Sequence, residues 1–401
     1  MGRLLDCKIG GRCGNCTWEI DTDNTLTISP VPGTDGMLKE TDDLYAPGEF
    51  AAWAWHPYRR MVRKVVVQSG VKAAWSMDEA FKSMPHCTAF DVGNMDMENV
   101  WSMRDMFSGC IYASDFEGLE KWNVKSAADA GGMFRGCFSL RNISALKNWD
   151  TKNLSAATSM FDGCRSLADI SALAGWNVSG LKFAACMFRG TAVKDLSPLA
   201  EWNMENMEYM TDMFADCRSF TTLQPIERWK LDKVMNMDRM FSGCRQLSDA
   251  DALKAWKLPA FRSCEEMFLN TEVYVNPFDD IVPMACPRTG EFIAWKVCGR
   301  GKGAKCRNVL VKLLIPEDAE RSSAFGKKCR CSKAKVLGFY ELNGKEIRYA
   351  LSARSLYKES FVYKRWATVG VENFNPDRFI ECASGIHFFY KMEDAVEYVG
   401  G

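Results

Sequence analysis

The chain has 401 residues, 47% hydrophobic and 25% charged, enough for two or three domains with sizeable cores. Its formal net charge is zero, yet residues 1–287 carry 30 Lys/Arg against 38 Asp/Glu while residues 288–401 carry 21 against 13, which points to two units with different surfaces. No stretch approaches the roughly 18 apolar residues of a membrane span, Met1-Gly-Arg-Leu-Leu-Asp-Cys7 lacks the apolar core of a secretory signal, and 17 cysteines in so long a chain do not suit a small disulfide scaffold. Taken literally, this start leaves the chain in the cytoplasm, with the cell surface as the alternative if a leader has been removed.

The dominant internal signal is a repeat. Met-Phe recurs at Met106-Phe107, Met133-Phe134, Met160-Phe161, Met187-Phe188, Met213-Phe214, Met240-Phe241 and Met267-Phe268, in steps of 26 or 27 residues. Trp122, Trp149, Trp176, Trp202, Trp229 and Trp256 keep the same beat, each eleven residues before the next Met. Apolar or small residues three and six places before each Met, such as Met103 and Val100, predict one face of a short helix. Two places after each Phe stands Gly109, Gly136, Gly163, Gly190, Asp216, Gly243 or Asn270, types that accept left-handed backbone and so predict a helix end. Next come Cys110, Cys137, Cys164, Thr191, Cys217, Cys244 and Thr271. Thr cannot replace half a disulfide, so this column predicts buried thiols.

Leu140-Arg-Asn-Ile143-Ser-Ala-Leu146 and Leu167-Ala-Asp-Ile170-Ser-Ala-Leu173 have the spacing of a leucine-rich-repeat strand. The expected fold is therefore an α/β leucine-rich-repeat solenoid over 76–287, each unit a helical turn or two, a cap and a strand. Burying one Met and one Phe stabilises by about 3–6 kcal/mol per repeat before the entropy of ordering is subtracted. Ala80-Phe81, 26 residues before Phe107, predicts a degenerate repeat ahead of the first full one.

The pattern Met-x-x-Met-Phe-x-Gly-Cys-x-x-Leu, then Trp-Asn/Asp, resembles the BspA-type leucine-rich repeat of bacterial surface proteins. Met103-Arg-Asp-Met-Phe-Ser-Gly-Cys110 and Met237-Asp-Arg-Met-Phe-Ser-Gly-Cys244 carry it position for position. Cys13-Gly-Asn-Cys-Thr-Trp-Glu-Ile-Asp21, Leu26-Thr-Ile-Ser29 and Val65-Val-Val-Gln-Ser-Gly-Val71 resemble the strand-rich N-terminal cap of such arrays, here over 1–75. The resemblance covers about two-thirds of the chain and implies adhesion or protein binding.

Beyond Cys286-Pro287 the rhythm stops, and residues 288–401 read as a basic α+β domain. Strands are expected at Val309–Ile315, Lys335–Leu342, Ser360–Lys364 and Gly385–Tyr390, with a short helix opening at Glu317 and another over Met392–Tyr398. Val311–Ser322, Lys328–Leu337 and Glu381–Phe389 resemble an uncharacterised domain at the C-terminus of bacterial and phage repeat proteins. That resemblance implies a boundary and no mechanism.

Three readings of function follow. The first is a non-enzymatic protein-binding scaffold of a bacterium or phage, needing no cofactor. The second is an effector enzyme with Cys382 as nucleophile, His387 as base and Glu381 beside them. The third is nucleic-acid or phosphate binding through residues 296–335, which hold twelve Lys/Arg and three acids. Its candidate contacts are Arg321, Lys327, Lys328, Arg330, Lys333 and Lys335. Metal ligation by Cys13-Gly-Asn-Cys16 with Cys7, or by Cys329-Arg-Cys331, lacks a second ligand pair at suitable spacing, and no metal site is expected.

Overall fold

The structure is a computed structural model that describes residues 9–39, 53–273, 277–278, 285–301, 306–323, 327–358, 360–375 and 384–400. It divides into two compact units, Met1–Phe278 and Asp279–Gly401. The expected α/β solenoid of helix-and-strand units is not formed. Among the described residues the strands make two sheets, and the single α-helix lies in the second unit.

The first unit opens with a five-stranded sheet in the order β1-β2-β3-β4-β5. Its strands are β1 (Ile9–Cys13), β2 (Cys16–Ile20), β3 (Thr25–Pro30), β4 (Lys64–Val67) and β5 (Ala89–Asp91). The two-residue turn Gly14-Asn15 pairs Cys13 with Cys16 across an antiparallel hairpin. From β3 onward the pairing is parallel. A run of single parallel bridges then links each repeat to the next at Ser76, Ser102, Asp129, Ala156, Phe183, Tyr209, Asn236 and Ser263.

The Met-x-x-Met-Phe segment is not helical, and its backbone says why. The residue before each Met is left-handed: Asp105 (φ 51°), Gly132 (63°), Ser159 (57°), Cys186 (57°), Asp212 (55°), Arg239 (52°) and Glu266 (53°). One such residue ends any α-helix and costs an L-residue roughly 1–2 kcal/mol. The hydrogen bonds offset this cost by running between repeats. The Phe107 N–H donates to the Met133 carbonyl at 2.9 Å, and Phe134 to Met160 and Phe161 to Met187 do the same at 2.9 Å. Alternate N–H groups close local turns instead, as Met106 does on Met103 at 3.3 Å. The spacing of three was real, but it belongs to a turn.

The expected leucine-rich strand is also absent. Leu140–Ile143 pairs with nothing in a sheet, and Ser144–Leu146 and Ser171–Leu173 are 3-10 turns. An acidic or amide residue directs this: Asn142 accepts the Ser144 N–H at 2.9 Å, and Asp169 and Asp195 accept those of Ser171 and Ser197 at 2.8 Å. That local bond competes with a strand ladder.

Side chains from successive repeats line up in columns. Met106, Met133, Met160, Met187, Met213, Met240 and Met267 are fully buried, and Phe107 through Phe241 stack face to face at 5.5–5.8 Å. Phe81 of the degenerate repeat joins the stack 5.6 Å from Phe107. Phe268 at the far end is only half-buried. Each Trp donates its indole N–H to the preceding repeat, for example Trp149 to the Leu119 carbonyl at 2.9 Å and Trp176 to Leu146 at 3.0 Å. Trp122, Trp202, Trp229 and Trp256 do likewise at 2.8–3.0 Å. Cys110, Cys137, Cys164, Cys217 and Cys244 are buried thiols whose Sγ donates to a Phe carbonyl one repeat back at 3.0–3.2 Å.

The second unit is β-rich rather than α+β. An antiparallel nine-stranded sheet holds β6 (Phe292–Arg300), β7 (Arg307–Ile315), β8 (Arg321–Ser323), β9 (Lys328–Cys331), β10 (Lys333–Tyr340), β11 (Ser352–Ser355), β12 (Val362–Lys364), β13 (Thr368–Gly370) and β14 (Ile386–Phe389). The helix expected after Glu317 is a turn leading into β8. α1 (Met392–Gly400) is the one described α-helix, and its Ala395 packs with Val297, Leu310 and Phe389.

Candidate functional site

Each unit holds, among its described residues, a depression with the geometry to bind. On the repeats, the bridged column and the position just before it carry bulky aromatics where most proteins hide them. Trp75 is 68% exposed and Trp101 46%, and Phe183 and Tyr209 stack on each other in the open at 5.7 Å. Between Trp101 and Phe183 the chain uses Gly131, Gly132 and Ala156, which leaves a groove of about 450 Å³. Gly132 is left-handed, and a Cβ there would meet the Asp105 carboxylate at 2.2 Å, so a larger residue would have to push that side chain aside.

Charge in the groove is organised into pairs. Arg135 reaches Asp105 at 3.0 Å, and Arg104 reaches Asp129 at 3.6 Å. Burial pushes the Asp129 carboxyl above the usual carboxylate range, against the opposing pull of the Gly131 N–H and Arg104. Further along, bidentate Arg189–Asp162 and Arg239–Asp212 pairs tie neighbouring repeats together.

The second unit holds a cavity of about 790 Å³. Lys296 of β6 and Lys328 of β9 line it, together with Tyr357, Tyr363, His387 and Tyr398. Lys296 is only 8% exposed because it stands in register with Phe292, Ala294 and Cys298, whose side chains enter the core. Its Nζ donates to the His387 carbonyl at 2.8 Å and lies 5.7 Å from the Tyr363 ring. Burial pulls the Lys296 ammonium below the usual lysine range, with Cys298 opposing and Lys328 reinforcing the shift. Lys328 sits over the rings of Tyr357 (5.9 Å) and Tyr398 (5.5 Å), whose hydroxyls touch.

The candidate residues named from the sequence scatter. His387 and Lys328 reach this cavity, His387 facing Arg330 across the β14–β9 pair. Glu381 and Cys382 lie outside the described residues, as do Cys7 and residues 302–305 of the first basic cluster. Arg321 binds backbone carbonyls of Gly290, Pro316, Glu317 and Ala319 at 2.6–3.2 Å, holding a loop. Lys327 pairs with Asp394 and Glu397 at 2.9 Å, and Lys333 pairs with Asp318. Arg330 is 2% exposed, with Ser322 at 3.2 Å, and Lys335 is exposed on β10. Among its described residues, Arg321, Lys327, Arg330 and Lys333 are engaged with neighbouring groups, and Lys335 is exposed. Lys296 escaped notice individually, although its in-phase position on an apolar strand was a readable signal.

Comparison with known proteins follows these boundaries. Residues 75–197 and 171–281 match the family described as "Mycoplasma protein of unknown function, DUF285", together more than half of the chain. The chain belongs to this family. Residues 282–395 match a model described as "Family of unknown function (DUF5758)". A crystal structure of a leucine rich cell surface protein from Faecalibacterium prausnitzii A2-165 is similar at 12% identity and a TM-score of 0.25, covering 68% of this chain and 96% of that one. No curated protein matches. Among the described residues no helix is long and apolar enough to cross a membrane.

Proposed function

We propose that this DUF285 repeat protein is a non-enzymatic scaffold that binds a protein partner on the face carrying the bridged column. One observation carries the reading: Trp101 and Phe183 stand exposed as the two walls of a groove floored by glycine and alanine. Exposed aromatics around a small-residue depression are the ingredients of an interaction hot spot, since they supply apolar area at low entropic cost. The paired carboxylates and guanidinium groups at its rim supply polar partners without a strong net field. Outside the core columns the repeats tolerate change, which suits a surface that varies with its partner.

The test compares proteins retained by the full chain with those retained by a Trp101→Ala, Phe183→Ala variant of equal thermal stability. A partner held by the wild type should be lost at least tenfold by the variant, the cost of removing one hot spot. Equal retention of every partner by both would sink the proposal.

A further inference from the structure

The cavity of the second unit contains a charge problem that the fold leaves open. Three lysines, Lys296, Lys328 and Lys358, line it against one carboxylate, Glu372, and the first two ammonium groups face a carbonyl and aromatic rings: His387 and Tyr363 for Lys296, Tyr357 and Tyr398 for Lys328. Among the described residues neither Lys296 nor Lys328 makes an ion pair with a carboxylate, whereas neighbouring Lys327 is held by two. A buried ammonium without a counter-charge is expensive, and a protein commonly keeps one only where function needs it. A strand position in phase with Phe292, Ala294 and Cys298 would be filled more cheaply by an apolar residue.

The remaining lining defines what fits. Aromatic rings of Tyr357, Phe361, Tyr363 and Tyr398 surround the lysines, and about 790 Å³ is the size of a small-molecule site. We infer that this cavity binds a small organic anion, a phosphate or carboxylate attached to a flat ring, with Lys296 and Lys328 taking the charge and the tyrosines packing the ring. The assignment differs from phosphate binding by the surface basic run, because Arg321, Lys327 and Lys333 are engaged elsewhere. It is also independent of partner binding by the repeats.

Calorimetry on the full chain with phenyl phosphate, benzoate, inorganic phosphate and phenol tests it. Phenyl phosphate or benzoate should bind saturably, at least tenfold more tightly than inorganic phosphate or phenol. The better of the two identifies the anion. Lys296→Met, which keeps length and removes charge, should weaken that binding at least tenfold, as should Lys328→Met. Acetylation of wild-type Lys296 by a water-soluble ester, read by mass spectrometry, should slow in the bound ligand's presence, so a variant that fails to fold does not remove the test. Absence of saturable binding by both ring anions, phenol binding as well as they do, or an acetylation rate unchanged by ligand would each overturn the inference.

Discussion

An indole N–H in this chain reaches roughly thirty residues back to find its acceptor. Trp176 donates to the Leu146 carbonyl at 3.0 Å while its ring stacks on Trp149 at 6.2 Å, so one side chain both packs and stitches. Trp176→Phe keeps a ring but loses the donor and part of the volume, and should destabilise by about 1–3 kcal/mol in urea unfolding. Trp101→Phe, at a ring that stands in the open, should stay within about 0.5 kcal/mol. Equal losses for the two would remove the stitching role. The sequence beat announced the Trp column as core, but not its hydrogen bond, because a donor's acceptor lies in a neighbouring repeat whose register no local pattern states. Lys296 shows the converse: the alternation of β6 placed it inward, and a reading by charge density hid it inside a basic run.

At the level of the element, spacing and conformation came apart. Residues at three-residue intervals suit a helix, a 3-10 turn and a closed turn alike, and the left-handed residue before each Met decided against the helix. Beside Gly132, Asp105 and Asp212, that position holds Ser159, Cys186, Arg239 and Glu266, types that do not signal a positive φ as glycine does. The cap column was readable for the opposite reason: Gly109, Gly136, Gly163, Gly190, Asp216, Gly243 and Asn270 are types that accept the conformation they show.

The thiol column has a pH consequence. Burial raises the Cys110, Cys137, Cys164 and Cys244 thiols far above their ordinary range and pushes Cys217 up to about 11 from 9.0. Above about pH 9 the unfolded chain therefore binds fewer protons than the folded one. Stability, complete below that pH, falls as pH rises through the window between the two values, by about 1.4 kcal/mol per pH unit for each thiol titrating only when unfolded. Cys164→Thr with Cys244→Thr, which copies Thr191 of the same column, should flatten this fall between about pH 8.5 and 10 in reducing buffer. Parallel urea midpoints for variant and wild type across that range would show that the thiols do not govern it.

Across the molecule, the repeats behave as neighbours rather than as one indivisible core. Phe161 stacks on Phe134 at 5.7 Å and on Phe188 at 5.8 Å, whereas half-buried Phe268 has, among the described residues, a ring partner on one side, Phe241 at 5.9 Å. When each unit is supported mainly by the two beside it, stability is close to a sum of unit and nearest-neighbour contributions. Phe161→Ala removes two stacked contacts and opens a cavity in the middle of the column, a loss of about 3–5 kcal/mol. Phe268→Ala removes one contact beside solvent and should cost less than half as much. Amide exchange localises the difference: protection should fall around residues 134–190 in the first variant and after residue 240 in the second, while the sheet of the second unit keeps its own. A uniform loss of protection over the whole first unit in both variants would mean that the repeats open together, and the column of rings would then act as a single cooperative core.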